Sequence, residues 1–505
     1  MFVRKKHNKS GVISIQILEK VAGKSTLVKT VGSSSNLEEV EELFRQGKQL
    51  IPELKGQTSF YFDKANEAHL VDLFFNGIRE LNLVGPELLL GKLFDNIGFN
   101  AIKDDLFRHL VITRLIYPVS KLKTTDYLLK YKGVTVDVDR IYRYLDKLNN
   151  TQKELIQKIS YDHTLKVLNN EISIVFYDVT TLYFEAEEED DLRKTGFSKD
   201  GKHSQPQIVL GLLVSKGGYP LAYEIFDGKK FEGHTMLTIV DSFKKKYDIS
   251  NMVVVADAGL MSNSNITELQ EKNYEYIIGA RIKNESKLIG QQILSSQLQN
   301  GESIAIIKDE NSRIIISYSE SRAKKDAANR KKGLEKLEKN IKSGNLTKQH
   351  INNRGYNKYL KMKGNAKISI DKKKYTEDGK WDGLKGYVTN TKLSKDEIIE
   401  SYNHLWQIEK AFRISKSDLK IRPIFHRLKG RIEAHICIAF CAYKIYKELE
   451  RQLKIKKADI STEKAIDIAK TIFKITIQTN LSNKLHSRLY IDKEEQRKLI
   501  NLFNL

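Results

Sequence analysis

The sequence predicts an α/β fold in which helices cover a mixed sheet. Three strand-like segments follow one another at 172–180, 206–215 and 220–226, and two more, at 251–260 and 274–281, alternate with helical segments. Short runs rich in β-branched residues and bounded by turn-forming residues indicate strands. Consecutive strands followed by alternating strands and helices are typical of a mixed sheet with helices on its faces.

The N-terminal third predicts two smaller regions. Residues 1–70 form a β-leaning unit in this interpretation, because glycine-bounded segments partly alternate between apolar and polar residues. Within it, residues 37–48 predict a helix that ends at Gly47. Residues 71–170 carry several short helical patterns with interleaved Lys and Arg. A helical DNA-binding region of the helix-turn-helix type and a plain helical bundle both fit this pattern.

The predicted sheet is split into two parts, residues 171–281 and residues 386–450, by an inserted subdomain at 282–385. The insertion combines strand-like pieces with a lysine-rich helix, and between 321 and 374 it has 18 Lys and Arg against 4 Asp and Glu. Such a segment is either a solvated charged face or a surface that contacts a DNA backbone.

The C-terminal part returns to helical patterns. Ser394 is placed to cap a long helix, and a second helix at 428–450 follows it. Cys437 and Cys441 stand four residues apart in this second helix, which predicts two buried thiols rather than a disulfide or a zinc site. Residues 451–505 predict a helical tail.

The chain is strongly basic. It carries 86 Lys and Arg against 64 Asp and Glu, a formal net charge of +22, and its pI is near 9.4. This balance suits a polyanionic partner, although AT-rich genomes also enrich lysine. No apolar segment follows the first basic residues, and the longest apolar stretch, 436–443, is too short to span a bilayer. We therefore expect a cytoplasmic protein.

Three carboxylates stand at positions suited to chemistry. Asp178 and Asp257 follow apolar strand-like runs, and Glu409 lies in the long helix. A carboxylate at the end of a buried strand costs free energy unless a cation or a partner compensates it. An oxygen-only ligand set favours Mg²⁺ or Mn²⁺, and two such ions can clamp a phosphodiester. Taken singly, the aspartates also fit turns or caps, and Glu409 fits an ion pair with Arg413.

The order strand-Asp, strand-Asp, insertion, helix-Glu resembles the DDE transposases of bacterial insertion sequences, more narrowly the groups related to the IS4 and IS1634 elements. The resemblance extends over roughly residues 85–450. Residues 196–228 are similar to the family's stretch between its first two catalytic strands. Residues 381–427 are similar to its C-terminal signature, which is the more specific match.

That signature places a Tyr, an Arg, the catalytic Glu and a Lys along one helix. Tyr402, Glu409 and Lys416 match it, whereas position 405 is Leu instead of Arg. Residues seven apart are separated by two helical turns, so these three can share one face. The resemblance implies that Tyr402 and Lys416, with Arg413 nearby, bind DNA; helix packing and solvated charge are the alternative.

Four further residues are weaker candidates for contacts with DNA. Trp406 is placed to stack on a flipped base, although its spacing also fits a core residue. His203, His234 and His426 are candidates to line a DNA channel, and a structural hydrogen bond is the alternative for His426.

The resemblance implies an RNase H-like core in which Asp178, Asp257 and Glu409 are the catalytic residues and hold two Mg²⁺ or Mn²⁺ ions. It implies cleavage at terminal inverted repeats and strand transfer into target DNA, on the bacterial nucleoid. Double-stranded DNA is then the partner, and pairing of two element ends implies a homodimer in a synaptic complex. Two other classes also fit: a non-catalytic repressor derived from a transposase, and an RNase H-like nuclease without strand transfer.

Overall fold

The computed structural model describes the chain except for residues 22, 56–63, 199–200, 231–234, 250–251, 260–262, 345, 347, 353, 364–366 and 480–482. The described residues form two compact units, one of residues 1–80 and 475–488, the other of residues 81–474 and 489–505. His234, one of the candidates to line a DNA channel, lies outside the described residues. Along the described parts, no helix is long and apolar enough to cross a membrane.

The first unit contains an antiparallel three-stranded sheet with a helix packed on it. The elements are β1 Phe2–His7, β2 Ile13–Val21, β3 Lys24–Ser34, α1 Leu37–Leu54 and α2 Lys64–Gly77. Helix α1 packs on all three strands, with Ile15, Ile17 and Val40 buried. The predicted helix end at Gly47 is wrong, because this glycine lies against the sheet, where a Cβ would approach Val3 Cγ1 to 3.1 Å. It allows close packing and does not end the helix.

The second unit begins with a helical region. The boundary between the two units falls within β4 Ile78–Leu83. The elements that follow are a π-helical turn at Glu87–Gly91, α3 Lys92–Ile97, α4 Asp105–Ile116, α5 Lys121–Lys132, α6 Val138–Lys147 and α7 Lys153–Val167. Helices α3, α4, α6 and α7 pack on a long later helix, which spans Lys429–Ile455 and is labelled α15 below. Their apolar faces therefore build a bundle. Cys437 and Cys441 are buried free thiols in this long helix, as predicted.

A mixed sheet forms the centre of the unit. Its first five strands are β5 Ile174–Tyr183, β6 Gln207–Ser215, β7 Pro220–Asp227, β8 Val253–Ala256 and β9 Glu275–Ala280, with α8 Met236–Tyr247 and α9 Asn263–Glu271 between the later ones. Strands β5, β6 and β7 are antiparallel, whereas β8 runs parallel to β5 and β9 parallel to β8. The order β7-β6-β5-β8-β9 is that of an RNase H-like core, so the predicted fold class is confirmed.

Part of the predicted insertion belongs to this sheet. The sheet continues beyond β9 with β14 Leu384–Thr389, β11 Ser312–Tyr318 and β10 Ser303–Asp309, preceded along the chain by α10 Lys287–Ser295. Ile314, Ile315 and Ile316 in β11 are fully buried, which explains why this strand joins the core. The rest of the insertion forms a small separate core around Leu337 and Tyr359. Its elements are α11 Glu320–Lys342, β12 Leu360–Lys363, β13 Lys367–Ile370 and α12 Lys372–Gly379.

Each face of the sheet has its own core. On one face Phe176 and Val255 pack with residues of α13 Lys395–Asn403, α14 Trp406–Ser417 and α15. On the other face Tyr177 and Val254 pack with α8, α9 and α10. Because successive side chains of a strand point to opposite faces, Asp178 lies on the face of Phe176, the one covered by α14 and α15.

The long helix predicted from Ser394 is divided into α13 and α14. Ser394 caps α13, as predicted. At the junction the amides of Leu405 and Ile408 donate to the carbonyls three residues back, at 3.0 and 3.1 Å. This tighter repeat shifts the phase of the following helix relative to a continuous α-helix. Tyr402 and Glu409 therefore lie on different helices instead of sharing one face.

The C-terminal tail is mixed rather than wholly helical. Its elements are α16 Thr462–Ala469, β15 Phe473–Gln478, β16 Leu485–Tyr490 and α17 Glu494–Phe503. The sequence FKITIQ alternates apolar residues with polar ones, and β15 lies between β16 and β4 in a three-stranded sheet. The pairing partner, β4, is nearly 400 residues away along the chain, so local helical patterns did not reveal it.

Buried histidines predict that acid destabilises the fold. Burial lowers the pKa of His163 to about 4, and that of His426 to about 3. The folded protein keeps these imidazoles neutral, while the unfolded chain protonates them near pH 6.5. Their contribution to stability is therefore complete above about pH 6.5 and is lost as the pH falls toward 4.

We expect the free energy of unfolding, measured by urea denaturation from pH 7 to pH 4.5, to fall with pH. His163→Gln should remove roughly 1–3 kcal/mol of that fall, since each pKa unit corresponds to about 1.4 kcal/mol. The matched control is His7→Gln, the same substitution at an exposed histidine. Identical profiles for the wild type and His163→Gln would contradict this explanation.

Candidate active site

The parallel pairing of β5 and β8 brings the two predicted aspartates side by side. Tyr177 lies opposite Ala256 in this pairing, and the next residue on each chain segment is an aspartate, Asp178 or Asp257. Adjacent strands are about 4.8 Å apart, so the backbones at these two positions are close neighbours. The carboxylates come from segments far apart in sequence, and only the strand register brings them together.

Each aspartate accepts a hydrogen bond from a nearby backbone amide. The Gly259 amide donates to Asp257 Oδ1 at 2.9 Å, and the Val179 amide donates to Asp178 Oδ1 at 2.7 Å. Both aspartates are half-buried. These hydrogen bonds fix the orientation of the two carboxylates.

Glu409 comes from α14, which packs against β5 and β6. Ile408 and Phe412 are buried beneath this helix, whereas Glu409 on its first turn is exposed. Its negative charge acts on two residues near the aspartates, Lys385 and Tyr402. The packing of α14 thus carries the third predicted carboxylate to the same region.

Tyr402 links the glutamate to one of the aspartates. Burial raises the pKa of its hydroxyl, and the negative charges of Asp257 and then Glu409 raise it further. Its ring lies 4.8 Å from the ring of Tyr387, and Lys385 Nζ lies 4.4 Å from its centroid. Only 8% of Tyr402 is exposed. The buried hydroxyl therefore lies within the electrostatic influence of both carboxylates.

Three further residues of this region were not predicted from the sequence. Gly279 in β9 makes room for Tyr402, because a Cβ at this position would overlap the tyrosine hydroxyl. Lys385 in β14 and Arg322 in α11 are cations next to the carboxylates, and Arg322 lowers the pKa of Lys385 after the larger effect of burial. Lys385 lies within the signature-like segment 381–427 and could have been noticed, whereas only the folded insertion brings Arg322 here.

The exposed side of α14 carries the other predicted DNA-binding residues. Glu409, Arg413 and Lys416 fall within about 60° around the helix at 3.6 residues per turn. Arg413 is exposed and Lys416 is half-buried. Trp406 is 50% exposed, with Lys410 Nζ 5.9 Å from its ring, so it is not a core residue.

The two candidate histidines that the structure describes, His203 and His426, both contact other protein groups. The Ser198 amide donates to His203 Nδ1 at 3.4 Å. The His426 ring packs 5.4 Å from the ring of His435 and 6.1 Å from that of Tyr142. His426 is thus part of a packed cluster of rings.

The carboxylates approach one another without closing into a ligand cluster. Among the described residues, no three His, Cys, Asp or Glu side chains lie close enough together to ligate one ion. The three predicted ligands are all carboxylates, and this donor chemistry fits a hard divalent cation better than zinc or copper. Lys385 and Arg322 add positive charge beside them.

Comparison with known families and sequences points to one class of protein. The family model described as the transposase DDE domain matches residues 169–445, more than half of the chain. The transposase for insertion sequence element IS231E from Bacillus thuringiensis subsp. finitimus is 30% identical over 160 residues. This match covers 29% of the chain and 32% of the relative, about a third of that relative's length.

Solved structures with some similarity include two transposases. The cryo-EM structure of the piggyBac transposase synaptic complex with hairpin DNA matches 72% of this chain and 69% of that chain, at 12% identity and a TM-score of 0.37. The Mos1 transposase paired-end complex with the left transposon end matches 31% of this chain and 53% of that chain, at 11% identity and a TM-score of 0.16.

The close contact between Gly279 and Tyr402 gives a testable prediction about the site. Gly279→Ala should lower the free energy of unfolding by roughly 1–3 kcal/mol, as overpacking does in cores, because the new methyl group displaces the tyrosine. Adding Tyr402→Phe removes the overlapping oxygen and should recover part of the loss. Urea denaturation of the single and double variants measures both effects.

Gly290 in α10 is the matched control, since a Cβ there would make only an ordinary contact, 3.6 Å from Trp381. Gly290→Ala should be neutral or stabilising by up to about 1 kcal/mol. Equal stability of Gly279→Ala and the wild type would show that Tyr402 does not occupy this position.

Proposed function

Because this chain belongs to the DDE transposases of insertion sequences, we propose that it cleaves DNA at the terminal inverted repeats of its element and joins the freed ends to target DNA. The observation that carries this proposal is the register of β5 and β8, which sets Asp178 beside Asp257. Glu409 completes the set, because its charge and that of Asp257 act on the same Tyr402 hydroxyl. Two neighbouring aspartates, and a glutamate whose charge acts on the same tyrosine as Asp257, support a divalent-cation site.

In this proposal Asp178, Asp257 and Glu409 hold two Mg²⁺ or Mn²⁺ ions. When bound, such ions supply activation of water or of a 3′-hydroxyl and stabilisation of the leaving oxygen. The chain holds the ligands on three different supports. Asp178 lies inside a continuous strand, and Asp257 accepts a hydrogen bond from the Gly259 amide. Glu409 lies on a helix whose apolar side is buried.

The exposed side of α14 is the proposed contact for DNA at the cleavage point. Arg413 and Lys416 bind phosphates on either side of the scissile bond, because they share the helix surface of Glu409. Trp406, half exposed, stacks on a base. Tyr402, with its buried ring, acts as a positioning residue that sets the distance between Glu409 and Asp257.

The proposed partner is double-stranded DNA, both at the element ends and at the target. Two ends must be held together before they are joined to one target site, so the proposed assembly is a homodimer in a synaptic complex. The basic helix α11 adds sequence-independent attraction for the backbone. Several of its lysines are exposed, including Lys324, Lys325, Lys331 and Lys332.

The direct test is cleavage of labelled duplex carrying the element ends, in Mg²⁺ or Mn²⁺. Asp178→Asn, Asp257→Asn and Glu409→Gln should each lower the cleavage rate more than about a hundredfold, since even outer-shell partners of a metal site change activity by 10–100-fold. Glu400→Gln is the matched control, because Glu400 is an exposed glutamate of the neighbouring helix α13, with Lys216 at 3.5 Å. It should cleave at the wild-type rate.

The same assay separates the other classes of protein. Specific binding of the ends without any nicking by the wild type would indicate a repressor, and cleavage without joined products would indicate a nuclease. Cleavage by Glu409→Gln at the wild-type rate would overturn the assignment of the third carboxylate.

A further inference from the structure

A cavity rich in basic residues lies where α4, α5 and the segment 420–426 meet. Its volume is about 180 Å³, several times the roughly 30 Å³ that one water occupies in the liquid. Six of its lining residues are basic: Arg114, Lys121, Lys420, Arg422, His426 and His435. Of the described residues that line it, none is acidic.

Two of these basic side chains are deeply buried. Arg114 and Lys121 are each 5% exposed. Arg114 Nη1 donates to the Leu419 carbonyl at a long 3.5 Å. In the described part of the chain, neither side chain forms an ion pair with a carboxylate. A buried cation without a counter-charge is unfavourable, so the cavity is electrostatically incomplete without an anion.

The basic groups of the cavity also act on one another. Burial lowers the pKa of Lys121, and the charge of Arg114 lowers it further. The same two cations lower the pKa values of His426 and His435, again after the larger effect of burial. An anion in the cavity would interact favourably with all four residues.

The backbone around the cavity is positioned to receive an anion. Helix α5 begins at Lys121 and is capped by Ser120, both of which line the cavity, so its positive end is directed there. His435 Nε2 lies 3.0 Å from the Ile421 carbonyl and tethers the segment 420–426 to α15. The cavity is therefore built from fixed elements.

The segment that lines the cavity contacts the end of β5, the strand that carries Asp178. The Ile424 amide donates to the Tyr183 carbonyl at 3.1 Å, and the Arg422 guanidinium lies 5.7 Å from the Tyr183 ring. Tyr183 ends β5, five residues beyond Asp178, which corresponds to roughly 16 Å along a strand.

We propose that this cavity binds a backbone phosphate of DNA away from the bond that is cut. The existence of a phosphate site follows from Arg114 and Lys121, whereas its assignment to DNA rests on the proposed function. The site belongs to the binding surface and takes no part in the chemical step.

The first test is the thermal unfolding of the full chain in inorganic phosphate against chloride at equal ionic strength. Phosphate should raise the Tm of the wild type by several degrees more than that of Lys121→Met, because only the wild type gains a bound ligand. Lys444→Met is the matched control: Lys444 is also a buried lysine, but it donates to the Ser160 carbonyl at 3.0 Å and to the Thr164 hydroxyl. It should keep the full response.

The second test measures binding to an element-end duplex without divalent ions, so that no cleavage occurs. Lys121→Met should bind about tenfold more weakly, since a charge-assisted hydrogen bond is lost. The slope of log K against log salt should fall by about 0.9 for the lost phosphate contact. Glu409→Gln should keep the phosphate response and most of the affinity, which separates this site from the catalytic proposal.

The outcomes are distinct. Phosphate could raise the Tm of the wild type more than that of Lys121→Met while both proteins bind DNA equally well. This result would indicate a site for free phosphate and overturn the assignment to DNA. Equal responses of the wild type and Lys121→Met to phosphate would overturn the site itself. Arg114→Gln removes the other buried charge and provides the same comparisons if Lys121→Met does not fold.

Discussion

The parallel ladder between β5 and β8 is the constraint on which the site depends. A slip of one residue would turn the side chains of a strand to its other face, and Asp178 would leave the face that α14 covers. The register is secured by burial on both faces, because all four residues of β8 are buried and alternate between the two cores. A short, doubly buried strand thus sets the positions of two carboxylates.

Placing negative charges near one another raises the free energy of the folded state, and both backbone amides and cationic side chains offset this repulsion. Backbone amides donate to both aspartates, and Lys385 and Arg322 lie beside the tyrosine that connects Asp257 to Glu409. The family signature has an arginine where this chain has Leu405, which is buried with 7% exposure. The positive charge near Tyr402 comes from Lys385 of β14 and Arg322 of the insertion.

The features that the sequence predicted correctly are those set by neighbouring residues along the chain. Apolar β-branched runs indicated the central strands, and the aspartates that end these runs were recognised as candidates because charge there needs compensation. Pairings between distant segments were not predictable from such patterns, and they explain why β10 and β11 join the sheet and why β15 pairs with β4. Gly47 is a further example of a tertiary contact that local patterns did not predict. Glycine often ends a helix, but Gly47 lies inside α1 and allows the helix to pack closely on the sheet.

The most direct test of a shared cation site is to map where a bound ion lies. Fe²⁺ can replace Mg²⁺ in an oxygen-ligand site, and the hydroxyl radicals that it generates with peroxide and ascorbate cut the nearby backbone. Cuts are predicted in three places, around Asp178, Asp257 and Glu409, and excess Mg²⁺ should suppress all three together. Cuts near the aspartates alone, or at unrelated positions, would contradict a site that the helix and the two strands build jointly.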